Sequence, residues 1–408
     1  MPLLVFGFLL ILPGALCAQS RERAGDLGIP LGGTPGHHDA ITDVAGVEVG
    51  ATTLIEGTGK LVVGRGPVRT GVTAIFPRGR NGPDSVFAAW FTLNGNGEMT
   101  GTTWVKESGR LDGPILITNT HSVGVVRDAT IAWMTRHRPG FLWALPVVAE
   151  TWDGLLNDAE GFHVTREHVF AALDGARSGP VAEGNVGGGT GMICHRFKGG
   201  TGTASRVLEQ DEGGYTVGIL VQCNYGQRRR LSIAGVPVGA EITDLMPCYA
   251  RRERPARLWL GSLPACAKST GDTEVAPAPD EGGGSIIIVI ATDAPLLPHQ
   301  LERVAKRASL GVGRMGGLGE NSSGDIFIAF STANPAAGAD TGLAKLTMLP
   351  NDGLNPVFEA TVQATEEAII NAMLAAETMT GADSIRAYAL PHDRLRAVLR
   401  RYGRLPTR

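Results

Sequence analysis

Short apolar runs, separated by glycine and polar residues, recur along the whole chain and predict a protein with both strands and helices. Runs rich in β-branched residues favour buried strands, and they fall at residues 71–76, 114–119, 215–224, 286–292 and 325–331. Apolar residues at helical spacing fall at residues 122–135, 295–309, 356–379 and 392–401. Asp293 is expected to cap the helix that starts near Pro295. Such a mixture of strands and helices predicts an α/β or α+β body with layered sheets.

The most informative part of this pattern is the junction at Ser285. This serine follows glycines 282–284 and precedes residues 286–290, which are five β-branched residues in a row. The run predicts a buried core strand that begins at Ser285. Residues 274–281 before the glycines are acidic and proline-rich, a composition that suits an exposed segment where a chain could be cut.

A serine at a new N-terminus carries its own base. An α-amine has a pKa of about 7.7–8.0, so it is partly neutral at physiological pH and can activate the hydroxyl of its own residue. The pattern therefore predicts an N-terminal nucleophile hydrolase that activates itself by cutting between Gly284 and Ser285.

The composition of the chain and its N-terminal segment limit the classes of function and the cellular compartments to be considered. The chain has 408 residues, of which 43% are apolar, and a net charge of −3, so it can bury a core and shows no sign of a nucleic-acid partner. Residues 1–18 are almost wholly apolar and are typical of a signal peptide, with an N-terminal membrane anchor as the alternative. No later segment has 18 consecutive apolar residues. We therefore expect a secreted or periplasmic protein.

Four cysteines remain after residue 18, at positions 194, 223, 248 and 266. In an exported protein they could form disulfides, and local spacing favours a Cys248–Cys266 bridge. Buried free thiols are the alternative. No Cys-x-x-Cys or Cys/His zinc spacing is present.

Several common catalytic motifs are missing, including Gly-x-Ser-x-Gly, Ser-x-x-Lys, His-Glu-x-x-His and the P-loop. The glycine-rich residues 186–191 are interpreted as a structural turn, and His121 as a hydrogen-bonded structural histidine. Four polar clusters lie where strands should end, at residues 94–98, 150–154, 222–226 and 321–325. Each alone suits a turn. Together with Ser285 they could supply the oxyanion donor and orienting groups that acyl transfer needs.

At these clusters the chain resembles the peptidase family that includes L-aminopeptidase D-amidase/D-esterase and the β-peptidyl aminopeptidases. The resemblance runs from about Asp26 to the C-terminal helices. Its strongest motifs lie at residues 40–47, 66–73, 93–101, 118–124, 233–239 and 283–285. It implies a four-layer α/β/β/α sandwich, similar in layering to N-terminal nucleophile hydrolases but with different connectivity. It also implies a precursor that cuts itself, giving an α chain of residues 19–284 and a β chain of residues 285–408 within one catalytic domain.

The resemblance also implies roles for individual residues. Ser285 corresponds to the nucleophile, and Asn224 matches the asparagine that stabilises the oxyanion. Ser323 and Asp325 match the serine and acidic residue that bond around the nucleophile and its amine. Glu150 matches the glutamate that pairs with the free ammonium of the substrate. The implied substrates are small peptides, amino-acid amides or esters, and the reaction needs no metal or organic cofactor.

Two departures from the family pattern stand out. Trp152, a candidate substrate-binding residue, stands where some members have a tyrosine, and an indole N–H can donate but cannot transfer a proton as a phenol does. The segment between Asn224 and Ser285 is longer than usual, by most of residues 251–281, and residues 251–284 are interpreted as a linker that ends at the cleavage site. We expect a homo-oligomer. The alternatives are an acyltransferase of the ornithine acetyltransferase type, which uses a threonine nucleophile, and a non-catalytic binding protein on the same fold.

Overall fold

The computed structural model describes residues 22–82, 85–137, 143–249, 263–266, 284–339 and 341–406. Its strands, in chain order, are β1 (Glu48–Glu56), β2 (Val68–Phe76), β3 (Ser85–Thr92), β4 (Arg110–Asp112), β5 (Ile115–Asn119), β6 (Val147–Thr151), β7 (Ile193–Cys194), β8 (Phe197–Lys198), β9 (Gly200–Val207), β10 (Thr216–Asn224), β11 (Cys248–Tyr249), β12 (Gly284–Thr292), β13 (Ser323–Ser331), β14 (Met379–Thr380) and β15 (Ile385–Ala387). Its helices are α1 (Thr102–Ser108), α2 (Val123–His137), α3 (Arg166–Asp174), α4 (Val238–Glu241), α5 (Pro298–Arg314), α6 (Asn355–Leu374) and α7 (His392–Arg401).

Two stacked sheets form the centre of the molecule. The smaller sheet has the strand order β1-β2-β5-β6, and the larger has the order β4-β3-β13-β12-β10-β9. Ile75 and Ile117 from the smaller sheet pack against Leu220, Ile287 and Val289 from the larger one. The space between the sheets is therefore an apolar core.

Helices cover the outer face of each sheet. Residues of α2 and α3 pack on the smaller sheet in one apolar cluster, and residues of α5 and α6 pack on the larger sheet in another. The result is the four-layer α/β/β/α sandwich that the family resemblance implies.

Strand β12 is buried on both faces. Ile286, Ile288 and Ile290 point toward α5 and α6, while Ile287 and Val289 point toward the smaller sheet. This explains the unbroken apolar run, because a strand covered on both sides cannot alternate between apolar and polar residues. β12 pairs with β10 in antiparallel and with β13 in parallel orientation, so Ser285 lies near the start of a central strand.

Most predicted elements are present, but several boundaries were wrong. Helix α6 ends at Leu374, before the end expected near residue 379, and helix α5 ends at Arg314, after the end expected near residue 309. Helix α5 begins at Pro298 with Leu297 as its N-cap, later than the start expected near Pro295. Asp293 does not cap it, because its Oδ1 accepts the backbone N–H of Thr216 at 2.7 Å. Pro298 occupies the first helical turn, where its missing N–H is not needed.

The four cysteines form two disulfides, Cys194–Cys223 and Cys248–Cys266. The second was the pair favoured by spacing, so that prediction is confirmed and the free-thiol alternative is wrong. The proposed signal peptide at residues 1–18 and most of the linker at residues 251–284 lie outside the described residues. Within the described part, no helix combines the length and apolar character needed to cross a membrane.

Candidate active site

The site is built around Ser285, the second residue of β12. Ser285 lies opposite Asn224 of β10 and opposite Gly324 of β13. Both Ser285 and Asn224 are buried, with 7% and 8% of their surface exposed. Residues directly opposite in an antiparallel pair share a face and have Cβ atoms about 4.5–5.5 Å apart. The register therefore places the Asn224 amide beside the Ser285 hydroxyl.

The backbone around Ser285 is tightly constrained. The N–H of Gly324 donates to Ser285 Oγ at 3.1 Å, which leaves the hydroxyl proton free to be given up. Gly284 has a φ of +128°, and a Cβ there would lie 2.2 Å from the carbonyl oxygen of Asn224. Only glycine tolerates both this φ and this close approach to Asn224. The peptide bond before Ser285 therefore requires a glycine at position 284.

The Asn224 amide is oriented by contacts at both ends. Its Oδ1 accepts the N–H of Ile193 at 2.8 Å, and its Nδ2 donates to the carbonyl oxygen of Trp152 at 2.9 Å. An amide nitrogen carries two hydrogens. The second is available to a substrate oxygen beside Ser285.

Asp325 is the centre of a buried polar network beside β12. Its Oδ1 accepts Ser323 Oγ at 2.6 Å and the N–H of Ile286 at 3.2 Å. Asn94 brackets the same residue, since its Nδ2 donates to Asp325 Oδ2 at 3.3 Å and its Oδ1 accepts the Asp325 N–H at 2.6 Å. Burial raises the pKa of Asp325 to about 6 despite these hydrogen bonds. The carboxyl group lies one residue along from the backbone nitrogen of Ser285.

Glu150 is the second buried carboxylate of the site. It lies in β6 with 3% of its surface exposed, and it accepts hydrogen bonds from the N–H of Glu98 and from Thr120 Oγ1. Burial raises the pKa of Glu150, and the two hydrogen bonds oppose that rise. A Cβ at Gly97 would lie 3.3 Å from Glu150 Oε1 and 3.2 Å from the Cα of Gly324. Gly97 thus lies between Glu150 and Gly324, the residue opposite Ser285 on β13.

Trp152 touches the site through its backbone. Its carbonyl oxygen receives the Asn224 amide, while the side chain is 38% exposed. The indole lies over Gly154, where a Cβ would come within 2.4 Å of the ring. All six residues that the sequence singles out therefore lie around the start of β12, with Trp152 at the surface.

Some participants were missed by sequence reasoning. Asn94 belongs to a polar cluster that suited a turn, and its side-chain hydrogen bonds in the folded chain show that it pairs with Asp325. Ile193 contributes a backbone N–H, so its side chain gives no signal. His121 Nδ1 lies 3.2 Å from the carbonyl oxygen of Ala159, in keeping with the structural role expected for it. Residues 187–189 form a buried turn, which agrees with the structural interpretation of that glycine run.

Comparison with known proteins identifies the family. Residues 39–387 match the model described as Peptidase family S58. The chain belongs to this family. It is therefore an aminopeptidase, a hydrolase of the N-terminal nucleophile type that acts on peptides.

Two relatives match over nearly the whole chain. Beta-peptidyl aminopeptidase BapA of Sphingosinicella microcystinivorans is 55% identical over 405 residues, which cover 99% of this chain and 98% of that protein. The protein of the same name from Sphingosinicella xenopeptidilytica is 47% identical and covers 98% of this chain and 96% of its own length.

Two solved structures have the same fold as this chain. The L-aminopeptidase D-Ala-esterase/amidase of Ochrobactrum anthropi, described as a prototype for the serine aminopeptidases with a new variant of the Ntn hydrolase fold, superposes with a TM-score of 0.81. It is 48% identical, over 94% of this chain and 99% of its own. The beta-aminopeptidase of a Burkholderia species has a TM-score of 0.80 and 48% identity, over 94% of this chain and 100% of its own.

Proposed function

We propose that the protein is an exported aminopeptidase that cuts itself between Gly284 and Ser285 and then uses Ser285 as an N-terminal nucleophile. One observation carries this proposal: Ser285 lies beside the Asn224 amide on one strand and accepts the Gly324 N–H from the other. N-terminal sequencing of the smaller fragment of the purified protein tests it. A fragment that starts at any residue other than Ser285 would remove the assignment.

Self-processing follows from the constrained backbone. Ser285 Oγ attacks the carbonyl carbon of Gly284, and its hydroxyl proton is transferred to the Ser285 nitrogen as the peptide bond between the two residues breaks and an ester forms. Water then hydrolyses the ester, which gives a carboxylate at Gly284 and a free α-amine at Ser285. The left-handed φ of Gly284 and its seat against the Asn224 carbonyl hold the bond in place for this step.

Turnover uses the amine that processing creates. Ser285 Oγ attacks the carbonyl carbon of the first residue of the substrate, and the α-amine accepts the hydroxyl proton. The second hydrogen of Asn224 Nδ2 stabilises the negative oxygen. The α-amine then donates its proton to the leaving amine, and water hydrolyses the acyl-enzyme. Asp325 and Ser323 orient the amine from the adjacent network.

Asp325 should give the activity an acidic limit. Its pKa of about 6 in the uncut chain means that the carboxylate, the form that orients an ammonium or amine, is lost at acidic pH, and the α-ammonium that cutting creates lowers this pKa. We expect kcat/KM to rise with pH through about 6 or below and then to follow the α-amine. A pH profile of wild type and Asp325→Asn measures this. The fall of kcat/KM at acidic pH should be absent from the variant. If the variant still lost activity near pH 6, the acidic limit would belong to another group.

Glu150 should bind the free ammonium group of the substrate. A buried carboxylate favours a ligand ammonium, because leaving the charge without a partner is costly. We expect N-acetylated substrates to be poor for wild type, and Glu150→Gln to weaken free-amine substrates far more than acetylated ones. Comparing kcat/KM for one peptide amide, free and acetylated, in both proteins measures this. Equal losses on both substrates would show that Glu150 supports the fold instead.

For the substrate class, we propose peptides that begin with a β-amino acid, with amides and esters of the same acyl groups as further substrates. The support is the name of the two Sphingosinicella relatives, beta-peptidyl aminopeptidase, and their match over nearly the whole chain. A panel of p-nitroanilides that differ only in a β, L or D first residue decides this. A preference for L residues would overturn the β assignment while leaving the aminopeptidase intact.

We also propose that the protein is exported, that its processed α and β chains stay together, and that it forms a homo-oligomer. Two disulfides support an oxidising compartment, and the apolar residues 1–18 supply a signal. Ser285 in place of a threonine argues against the acyltransferase alternative. A denaturing gel distinguishes this proposal from the alternative of a non-catalytic binding protein, because a self-cutting enzyme should give two bands and a binding protein one.

A further inference from the structure

A small hairpin beside the active site contacts Asn224 directly. Strands β7 and β8 pair Ile193 with Lys198 and Cys194 with Phe197. His195 and Arg196 form the two-residue turn, with φ of +48° and +62°. Positive φ at both central residues is the geometry that fits a two-residue turn to the twist of a hairpin.

The N–H of Ile193 points out of this hairpin. The N–H of Gly199 donates to the carbonyl oxygen of Met192 at 2.9 Å, so the next pair, Ile193 and Lys198, makes no bonds across the hairpin. Its N–H is therefore available to donate to Asn224 Oδ1, at 2.8 Å.

Two bonds fasten the hairpin to β10 on either side of Asn224. The Cys194–Cys223 disulfide joins the residue after Ile193 to the residue before Asn224. The N–H of His195 donates to the carbonyl oxygen of Tyr225 at 2.7 Å. The contact between Ile193 and Asn224 is therefore enclosed by a covalent link and a backbone hydrogen bond.

A fully buried lysine holds the base of the hairpin. Lys198 has no exposed surface, and its Nζ donates to the carbonyl oxygens of Met192 at 2.8 Å, Gly199 at 2.7 Å and Gly189 at 3.4 Å. Burial lowers the pKa of this amine. The three carbonyls tie the hairpin to the glycine turn that precedes it, so Lys198 fixes where Ile193 lies.

We propose that this hairpin positions the oxyanion donor, with Lys198 and the Cys194–Cys223 bridge keeping the Ile193 N–H on Asn224 Oδ1. The inference rests on the proposed role of Asn224. A side-chain amide can turn by 180° and exchange its oxygen and nitrogen. If it did so here, the NH2 group would meet the Ile193 N–H, donor against donor, and the oxygen would face the developing oxyanion. The Trp152 carbonyl, which accepts from Nδ2, opposes that orientation from the other end of the amide, and the hairpin opposes it at Oδ1. The flipped amide would repel the transition state.

The chain offers a matched control for the test. We compare processed wild type, Cys194→Ser/Cys223→Ser and, as control, Cys248→Ser/Cys266→Ser, which removes the other disulfide. Loss of the Cys194–Cys223 bridge should lower kcat about tenfold with KM unchanged. This is smaller than the loss of about 10²–10³-fold in kcat that follows removal of an oxyanion donor, because the donor is still present but less well oriented. The control should keep the kcat of wild type. Equal losses in both variants would overturn the proposal.

A double-mutant cycle asks whether the bridge acts through Asn224. In an Asn224→Ala background, removing the Cys194–Cys223 bridge should lower kcat no further, and Lys198→Met should behave in the same way. A loss of the same size in both backgrounds would overturn the positioning role while leaving Asn224 as the donor. Wild-type kcat in Asn224→Ala itself would instead overturn the proposed function of that residue.

A second measurement applies if the cysteine variant fails to fold or to process. Processed Cys248→Ser/Cys266→Ser enzyme is treated with dithiothreitol under native conditions, and mass spectrometry confirms reduction of the Cys194–Cys223 bridge. The proposal expects kcat to fall and to return on reoxidation, with KM constant. Full activity of the reduced enzyme would overturn it.

Discussion

The Ser285→Ala protein should remain one intact chain with no peptidase activity. The substitution removes the hydroxyl that attacks Gly284, so no new N-terminus forms, and it also removes the nucleophile for substrates. A denaturing gel, the intact mass and a p-nitroanilide assay measure the two losses. Activity should fall to the background of the assay, the largest effect that any single substitution here should produce.

Ser331→Ala is the control for this experiment. Ser331 also carries a buried hydroxyl in the larger sheet, at the far end of β13, where it donates to the carbonyl oxygen of Ala294 at 2.6 Å. Its loss should cost about 1 kcal/mol of stability and leave both processing and activity in place. If Ser285→Ala still appeared as two fragments, cleavage would not depend on this hydroxyl, and the self-processing mechanism would be wrong.

Asn224→Ala should fold and lose most of its turnover. The amide acts on an oxygen whose charge develops in the transition state, so kcat should fall by about 10²–10³, or about 2.7–4 kcal/mol, with a smaller change in KM. Steady-state kinetics on protein that has been cut at Ser285 measure this, since the same amide lies beside the cleavage site.

Gln222→Ala provides the matched comparison. Gln222 lies two residues earlier on β10, faces the same way, and its Nε2 donates to the carbonyl oxygen of Thr118 at 2.9 Å and to Thr151 Oγ1 at 2.8 Å. Removing it should lower stability more than kcat. If the two variants lost the same amount of turnover, Asn224 would be a structural residue of the strand and no oxyanion donor.

The parts of this site that the sequence predicts are those with a local signal. Five β-branched residues after a glycine run mark a buried strand, and β12 is that strand. The roles of Asn224, Asp325 and Glu150 came through motifs that resemble a known family, because nothing in a strand-end cluster alone distinguishes a site from a turn. The structure adds the register that places Asn224 opposite Ser285.

What the sequence does not predict depends on distant or backbone contacts. Cys194 and Cys223 are separated by 29 residues, and no spacing rule chooses that pair. Asp293 precedes a helical pattern and looked like its cap, but a tertiary hydrogen bond to Thr216 competes for its carboxylate. Lysine is usually a surface residue. The burial of Lys198 is explained by three backbone carbonyls that the fold places around its Nζ.

The strand order of the larger sheet has a consequence for how the active enzyme can be made. The proposed cut lies between the first two residues of β12, so the rest of β12 and all of β13 follow it, yet they are inserted between β3 and β10, which precede it. Once the bond is cut, the two fragments are interleaved, and neither can leave without dismantling the sheet. After denaturation they must find each other by diffusion, so recovery becomes second order in protein concentration, whereas the uncut precursor forms the same pairs within one chain. If the protein cuts itself as proposed, folding first and cutting second is the efficient route to the enzyme, and a denatured mature enzyme would not retrace it.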